Sequence, residues 1–461
     1  MIDQAARRIT REGHRSFDRG KVSRPSVGNN NSIPRARRSS NVRVLLTNTD
    51  RWPAPARLAA SLSKVGCDVS ALCPIPGHPL SKTQCVENVF SYDGYHPLSS
   101  LKDAIERCDP QLIVPCDDLA VQHLHELYRD SHETEAAHLA QLLETSLGSP
   151  ASYPIVSSRY DVIKIAAEEG ILVPDTTLLR SLDDLRAWEK KGKLPVVIKA
   201  DGTWGGRGVR IAHSAEGAEE AFRELSQLPG SAKVIKRLLL EKDRSWLRSW
   251  WLGTHPVITA QSHIDGRPAN CAVVCWHGEM LAGIAVEVVS AQELTGPATV
   301  VRVVESAEML TAGRLIARRL GLSGFFGLDF MIDDASGATY LIEMNPRCTP
   351  LCHLQLGKGR DMVAALFERL TGSPYHEAAP TTGNDMIAYY PQALQSATKF
   401  LESSFVDIPQ GEPQLVDELL NPWSGRSPLG RLLDRVRPAY LRRKAPKPCV
   451  FERAVLDRSH I

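Results

Sequence analysis

Hydrophobic positions first fall into regular runs at Val42. Val42 to Leu46 is a short continuous apolar run, Pro55 to Val65 repeats apolar residues at helical spacing up to Gly66, and Asp68 to Leu72 is a second strand-like run. Strand, helix, strand implies parallel pairing. A helix over Leu98 to Cys108 and a strand over Gln111 to Pro115 continue the alternation and leave Asp117 and Asp118 at a strand's carboxyl end, where open parallel sheets bind ligands. Since a helical segment, Val121 to Tyr128, follows, the two acids read equally well as a helix cap or as a substrate contact.

A second unit begins near Ser157. An amphipathic helix with Val162, Ile163, Ala166 and Ala167 on its apolar stripe stops at Gly170, and the chain runs extended through Pro174. Strand patterns dominate Pro195 to Glu287, interrupted by an amphipathic stretch, Leu238 to Trp251, whose Trp and Leu stripe reads as packing. A helix with Ser306 as N-cap and Gly321 past its end follows, then a hairpin and a helix over Met362 to Leu370. Residues 1–40 lack periodicity and read as a disordered basic leader; from Tyr375 the chain is Pro-rich and weakly patterned. The expected organisation is a leader (1–40), an N-terminal α/β unit (41–150), a mixed α/β and α+β unit (151–375) and a C-terminal extension (376–461).

Two segments carry chemistry. Val196 to Lys199 reads as a strand, Asp201 to Gly208 as a loop with four glycines, and Val209 to Ile211 as the return strand. Glycines let backbone N–H groups approach an anion, so a phosphate grip is the natural use of the loop. A Walker loop would carry its Lys at the end and lead into a helix; here Lys199 precedes the loop and a strand follows. Alone, the segment reads more readily as a tight turn beside a solvated Lys.

The second is Phe325 to Asn345. With Ala335, Ser336 and Gly337 as a three-residue turn, Asp334 pairs with Ala338, and counting back sets Asp329 opposite Glu343, with Asn345 on the same face. Two carboxylates and an amide among Leu328, Phe330, Ile342 and Met344 need a cation, and magnesium shared with nucleotide phosphates supplies one. The alternative, acids on the solvated face of an edge hairpin, loses ground beside the glycine loop.

Composition narrows the setting. The 461 residues suit two to four packed units, and 55 basic against 53 acidic side chains give no overall field that points to nucleic acid or membrane. Basic residues concentrate at the two ends, which read as solvated tails or as polyanion-binding arms. No stretch approaches the ~20 apolar residues of a membrane span and no secretory signal is apparent, so the expected location is the cytoplasm. Scattered cysteines agree with a reducing compartment, and Cys348, Cys352 and His353 read as packed rather than metal-binding.

In the order of its blocks, SSRYDVIKIAAEEGILVP, LPVVIKADGTWGGRGVRI, AQSHIDGRPAN and FFGLDFMIDDASGATYLIEMNPR, the chain resembles the ATP-grasp superfamily from Val42 to about Pro374. The resemblance implies an ATP-grasp fold behind a Rossmann-like pre-grasp domain, with the glycine-rich lid at about 175–260 and the metal-binding part at about 261–375. It implies that Lys199, Gly205, Gly206 and Gly208 hold nucleotide phosphates, with Arg159 standing where the family has a first phosphate-binding Lys. Gln261 would face the adenine amine and the backbone of Ser262 and Ile264 the ring edge; Asn270 takes the place of a ribose-binding acid. Asp329, Glu343 and Asn345 match magnesium ligands, with manganese a possible substitute, and Arg347 matches the Arg that faces the acyl group under attack.

The expected activity is therefore that of an ATP-dependent ligase: a small-molecule carboxylate becomes an acylphosphate and is captured by an amine or another nucleophile. Arg302, late on a strand bordering the cleft, reads as a further catalytic contact or as a surface Arg. A regulatory ATP-binding module and a kinase that releases its phosphorylated product remain alternatives. Neither the substrates nor the oligomeric state is legible, and a homo-oligomer is compatible with the sequence.

Overall fold

The computed structural model describes residues 41–75, 77–133, 136–190, 194–202, 208–227, 256–374, 379–420 and 449–450. The amphipathic stretch Leu238 to Trp251 and the loop glycines Gly205 and Gly206 lie outside them.

The first sheet is the parallel one expected. Its strands are β1 (Arg43–Thr47), β2 (Asp68–Cys73), β3 (Asn88–Ser91) and β4 (Leu112–Pro115), in the order β3-β2-β1-β4. Every pairing is parallel. The apolar runs that announced β1, β2 and β4 are buried on both faces, as a sheet covered by helices requires. The helix Ala54–Lys64 opens directly after the β1 loop, with Pro55 in its first turn where a missing N–H costs nothing.

A second, antiparallel sheet holds β5 (Thr176–Leu179), β6 (Val196–Ala200), β7 (Val209–Ala212) and β8 (Ile258–Ser262), ordered β5-β8-β6-β7. Alternation divides β6 cleanly. Val196, Ile198 and Ala200 enter a core shared with the helix Ala215–Ser226, so Val197 and Lys199 point the other way.

The largest sheet begins with β9 (Gly266–Trp276), β10 (Glu279–Ala291), β11 (Ala298–Val304), β12 (Gly324–Asp333) and β13 (Thr339–Asn345). Its order is β13-β12-β9-β10-β11, and beyond β11 it continues into β14 (Met386–Tyr389) and β15 (Phe405–Asp407). The stretch expected to be a separate extension therefore completes this sheet, since β14 pairs antiparallel with β11 and β15 parallel with β14. The helix Ala307–Leu320 packs on the sheet as its pattern foretold. Its N-cap Ser306 accepts from the Met309 N–H at 3.3 Å, and Gly321 closes it at φ 57°.

The β12–β13 hairpin reaches the expected pairing by an unexpected route. Asp333, not Asp334, closes the turn. The Gly337 N–H donates to the Asp333 carbonyl at 2.8 Å, the Asp333 carboxylate accepts from the Ala335 and Ser336 N–H groups, and Gly337 takes φ 75°. That loop is one residue longer than three and shifts the register by one. A bulge beside Ile342 shifts it back, so Asp329 does lie opposite Glu343. The bulge also decides direction: Leu341 and Met344 enter the core, whereas Ile342, Glu343 and Asn345 all reach the cavity. In a regular strand Glu343 would share the face of Leu341 and be buried among hydrocarbons.

Candidate active site

One cavity of about 560 Å³ lies where the three sheets meet. Lys199, Asp329 and Glu343 line it together with Gln261 to Ile264, so the glycine-loop strand and the acidic hairpin share one space.

Each polar group there is held. Arg159 opens the helix Arg159–Glu168, whose N-cap Ser158 accepts from the Asp161 N–H at 3.2 Å. Its guanidinium donates to Glu343 Oε1 through Nε at 3.1 Å and Nη2 at 2.9 Å, and to the Ala200 carbonyl through Nη1. Lys199 is 5% exposed and donates to the carbonyl of the bulged Ile342 at 3.1 Å. Asp329 accepts from Asn270 Nδ2 at 2.7 Å and from Asn345 Nδ2 at 3.0 Å. Arg347 donates to Asn345 Oδ1 at 3.1 Å, and its Nε lies 3.2 Å from Asp118.

These contacts set the protonation balance. Burial pulls the Lys199 ammonium down to about 8, against the attraction of Glu343. Burial and the facing Glu343 push Asp329 up to about 6. Burial opposes ionisation of Glu343 too, yet Arg159 and Lys199 hold its carboxyl below the usual range. Asp201, 3.9 Å from Arg159, is raised to about 6 by burial. The site thus combines buried cations with a facing carboxylate pair in which Glu343 stays ionised and Asp329 is raised.

Other expected positions fall as follows. Gln261 is buried on the cavity wall and donates to Thr176 Oγ1 at 3.1 Å; Ser262 and Ile264 line the same wall, the Ser262 N–H already donating to the Asp175 carbonyl at 2.8 Å. Asn270 is directly opposite Asp329 in the β9–β12 ladder, beside the acid rather than apart from it. Gly208 is buried, its carbonyl accepting from the Ala200 N–H at 2.9 Å. Arg302 is not brought to the cavity: it pairs with Glu287 and Met386 across β11, its side chain 38% exposed and 4.0 Å from Asp385. The acids after β4 divide their roles. Asp117 caps the helix Asp118–Glu133 through the Ala120 N–H at 2.8 Å and ties in Asn48 and Thr49, while Asp118 pairs with Arg347. Cys348 and Cys352 are buried thiols, and burial pushes Cys352 up to about 12.

Sequence reasoning missed Trp52, Arg57 and Gln392, which also line the cavity. No spacing or motif marks them.

Three sheets enclose this cavity, with a lysine-bearing strand facing an acidic hairpin. Residues 162–352 match the family described as carbamoyl-phosphate synthase L chain, ATP binding domain. The chain is 24% identical over 279 residues to the N-terminal section of the carbamoyl phosphate synthase large chain of Aquifex aeolicus, covering 58% of this chain and 44% of that one. It is 28% identical over 189 residues to phosphoribosylamine–glycine ligase of Xanthomonas campestris pv. campestris, covering 39% and 41%. It thus spans less than half the length of these relatives. Among solved structures, the biotin carboxylase domain of the Hydrogenobacter thermophilus 2-oxoglutarate carboxylase, a dimer with MgADP, ADP and bicarbonate, superposes with a TM-score of 0.51 at 15% identity over 72% of this chain and 70% of that one. Biotin carboxylase of Campylobacter jejuni gives 0.50 at 14%, over 75% and 73%. Residues 162–352 thus resemble that ATP-binding domain, and the chain shares the fold of these solved structures. Among the described residues no helix is long and apolar enough to cross a membrane.

Proposed function

We propose that the chain is an ATP-dependent ligase that activates a small-molecule carboxylate and joins it to an amine or another nucleophile. The observation that carries this reading is the meeting of Lys199 and Arg159 with Asp329, Glu343 and Asn345 in one cavity, beside the wall formed by Gln261 to Ile264. The reading is supported by similarity to a relative named as a ligase and by a shared fold with a structure holding MgADP.

In the reaction, a carboxylate oxygen attacks the γ-phosphorus of ATP and the bond to the bridging oxygen breaks, releasing ADP. The nucleophile then attacks the carbonyl carbon, phosphate leaves, and the amine gives up a proton. Lys199 and Arg159 are fixed before substrate arrives, so their donors need little reorganisation to offset phosphoryl charge. Arg347, oriented by Asp118 and Asn345, is placed to bind the acyl oxygen as it gains charge. Asp329, Glu343 and Asn345 fit magnesium: they bring hard oxygens to one cavity, with Asp329 directly opposite Glu343. Bound there, the ion would supply Lewis-acid stabilisation of the phosphate oxygens.

The test is an ADP-release screen of amino acids and small carboxylates, singly and in pairs. ADP that appears only when acid and nucleophile are both present supports ligation. ADP formed with one compound, together with a stable phosphorylated product, identifies a kinase. Nucleotide binding without turnover identifies a regulatory module.

A further inference from the structure

One end of the cavity is built by the turn between β10 and β11. Ala291 pairs with Ala298 across the two strands and the Gln292 N–H donates to the Pro297 carbonyl at 3.0 Å, so Leu294, Pro297 and Ala298 stand together at one tip. All three line the cavity, and Leu294 is 62% exposed. Thr295 is the one polar side chain that the turn adds to the lining, and it carries no charge.

Strand registers fix how far this wall lies from the carboxylate pair. Asp329 is opposite Asn270, and Asn270 is opposite Val286 on the next strand. Val288, two residues further along β10, keeps the face of Asn270 and lines the cavity. Two strand spacings and one two-residue step put Val288 roughly 12 Å from Asp329, and the Leu294 turn lies further along the same strand.

The surface between is apolar. Val288, Ala291 and Leu351 belong to one hydrophobic cluster, with Ala298 packed against it, and Leu351 stands four residues beyond Arg347 in the chain. Charge does not claim this end. Arg51 and Arg57 also line the cavity, yet Arg51 is held by Glu418 at 2.8 Å and Arg57 by Asp407 at 2.5 Å.

A lone exposed leucine needs no explanation, but a leucine, a proline and an alanine on one wall of a ligand-sized cavity hold water against hydrocarbon, and an apolar group displaces that water favourably. A substrate no larger than its reacting group would not reach them. Resting on the ligase reading above, we infer that one of the two substrates carries an aliphatic or aromatic group, set roughly 10 Å from its reacting atom, that docks on Leu294, Pro297 and Ala298.

The test measures ADP release with straight-chain carboxylates from acetate to decanoate against a set of amines, and with alkylamines of the same range against a set of small acids. Members ending in phenyl and members ending in a second carboxylate are included at matched length. In one of the two series KM should fall roughly threefold per methylene once the chain is long enough to reach the turn, and a methyl or phenyl end should outdo a carboxylate end. Leu294→Ser should raise the KM of the long members roughly tenfold, and Leu294→Met should bring it back to within about threefold of wild type. The KM for ATP should stay within about twofold in both variants. Best turnover by the shortest or by the carboxylate-ended members, or a chain-length dependence that Leu294→Ser leaves untouched, overturns the inference and leaves the ligase reading standing. No ADP release with any pair overturns both.

Discussion

Lys199 donates its ammonium to the carbonyl of Ile342 at 3.1 Å, so a side chain from β6 rests on the one residue bulged out of the acidic hairpin. The contact keeps the ammonium beside Glu343 while burial works against its charge. Lys199→Met should therefore lower ADP release at least about a hundredfold, as loss of a positioned charge in phosphoryl transfer does. The unfolding midpoint should stay level, because the cost of burying an ammonium is removed while Glu343 keeps Arg159 as its partner. Steady-state kinetics and a thermal melt on one preparation read both.

Glu343 is the partner of Arg159 and faces Asp329. Glu343→Gln keeps the shape but loses the charge, so ADP release should fall to background with the circular dichroism spectrum unchanged. Undiminished turnover would remove Glu343 from the site.

The C-terminal strands hold their place partly through one buried ion pair. Burial alone would raise the Asp407 carboxyl, but His353 and Arg57 hold it down to about 2. A depressed carboxylate stabilises the fold above its unfolded pKa, and the benefit is lost as pH falls from about 4 through about 2. At neutral pH, Asp407→Asn should cost about 3 kcal/mol, since Arg57 is left without its counter-charge. Urea unfolding monitored by tryptophan fluorescence measures the difference.

His78 gives the chain an acid-sensitive joint. Its Nδ1 accepts from the Leu80 N–H at 3.1 Å, which puts the proton on Nε2, 2.6 Å from Asn48 Oδ1. Burial lowers its pKa to about 3. A base neutral when folded and protonated when unfolded contributes stability above about 6.5 that is lost as pH falls toward about 3. Stability should thus decline steadily from pH 6.5 to 4.5, and His78→Gln should flatten that slope, as chemical denaturation at stepped pH will show.

Much of this arrangement was legible in the residues because periodicity and caps are local properties. Val44 and Leu46, the Ser306 cap and the alternation through Lys199 each announced their element. The facing of Asp329 and Glu343 was reached by counting, although the count missed both a longer turn and a compensating bulge at Ile342. Bulges leave no periodic trace, so only the end point could be read. The strands β14 and β15, four and three residues long, are too short to show alternation, and their place beside β11 is a long-range packing result. Arg302 has the residue type of a phosphate contact but lies outside the cavity lining, beside Asp385. Trp52 and Arg57 come to the same cavity as Gln392 only after two distant segments fold together.

The central claim is that one cavity joins nucleotide phosphates to a cation on the acidic hairpin, and calorimetric titration of ADP with and without magnesium tests it most directly. The account predicts that magnesium tightens ADP binding by roughly tenfold or more in the wild type and not in Asp329→Asn, each 1.4 kcal/mol being a factor of ten. Equal affinity with magnesium and with chelator in the wild type, or no ADP binding at all, would contradict it.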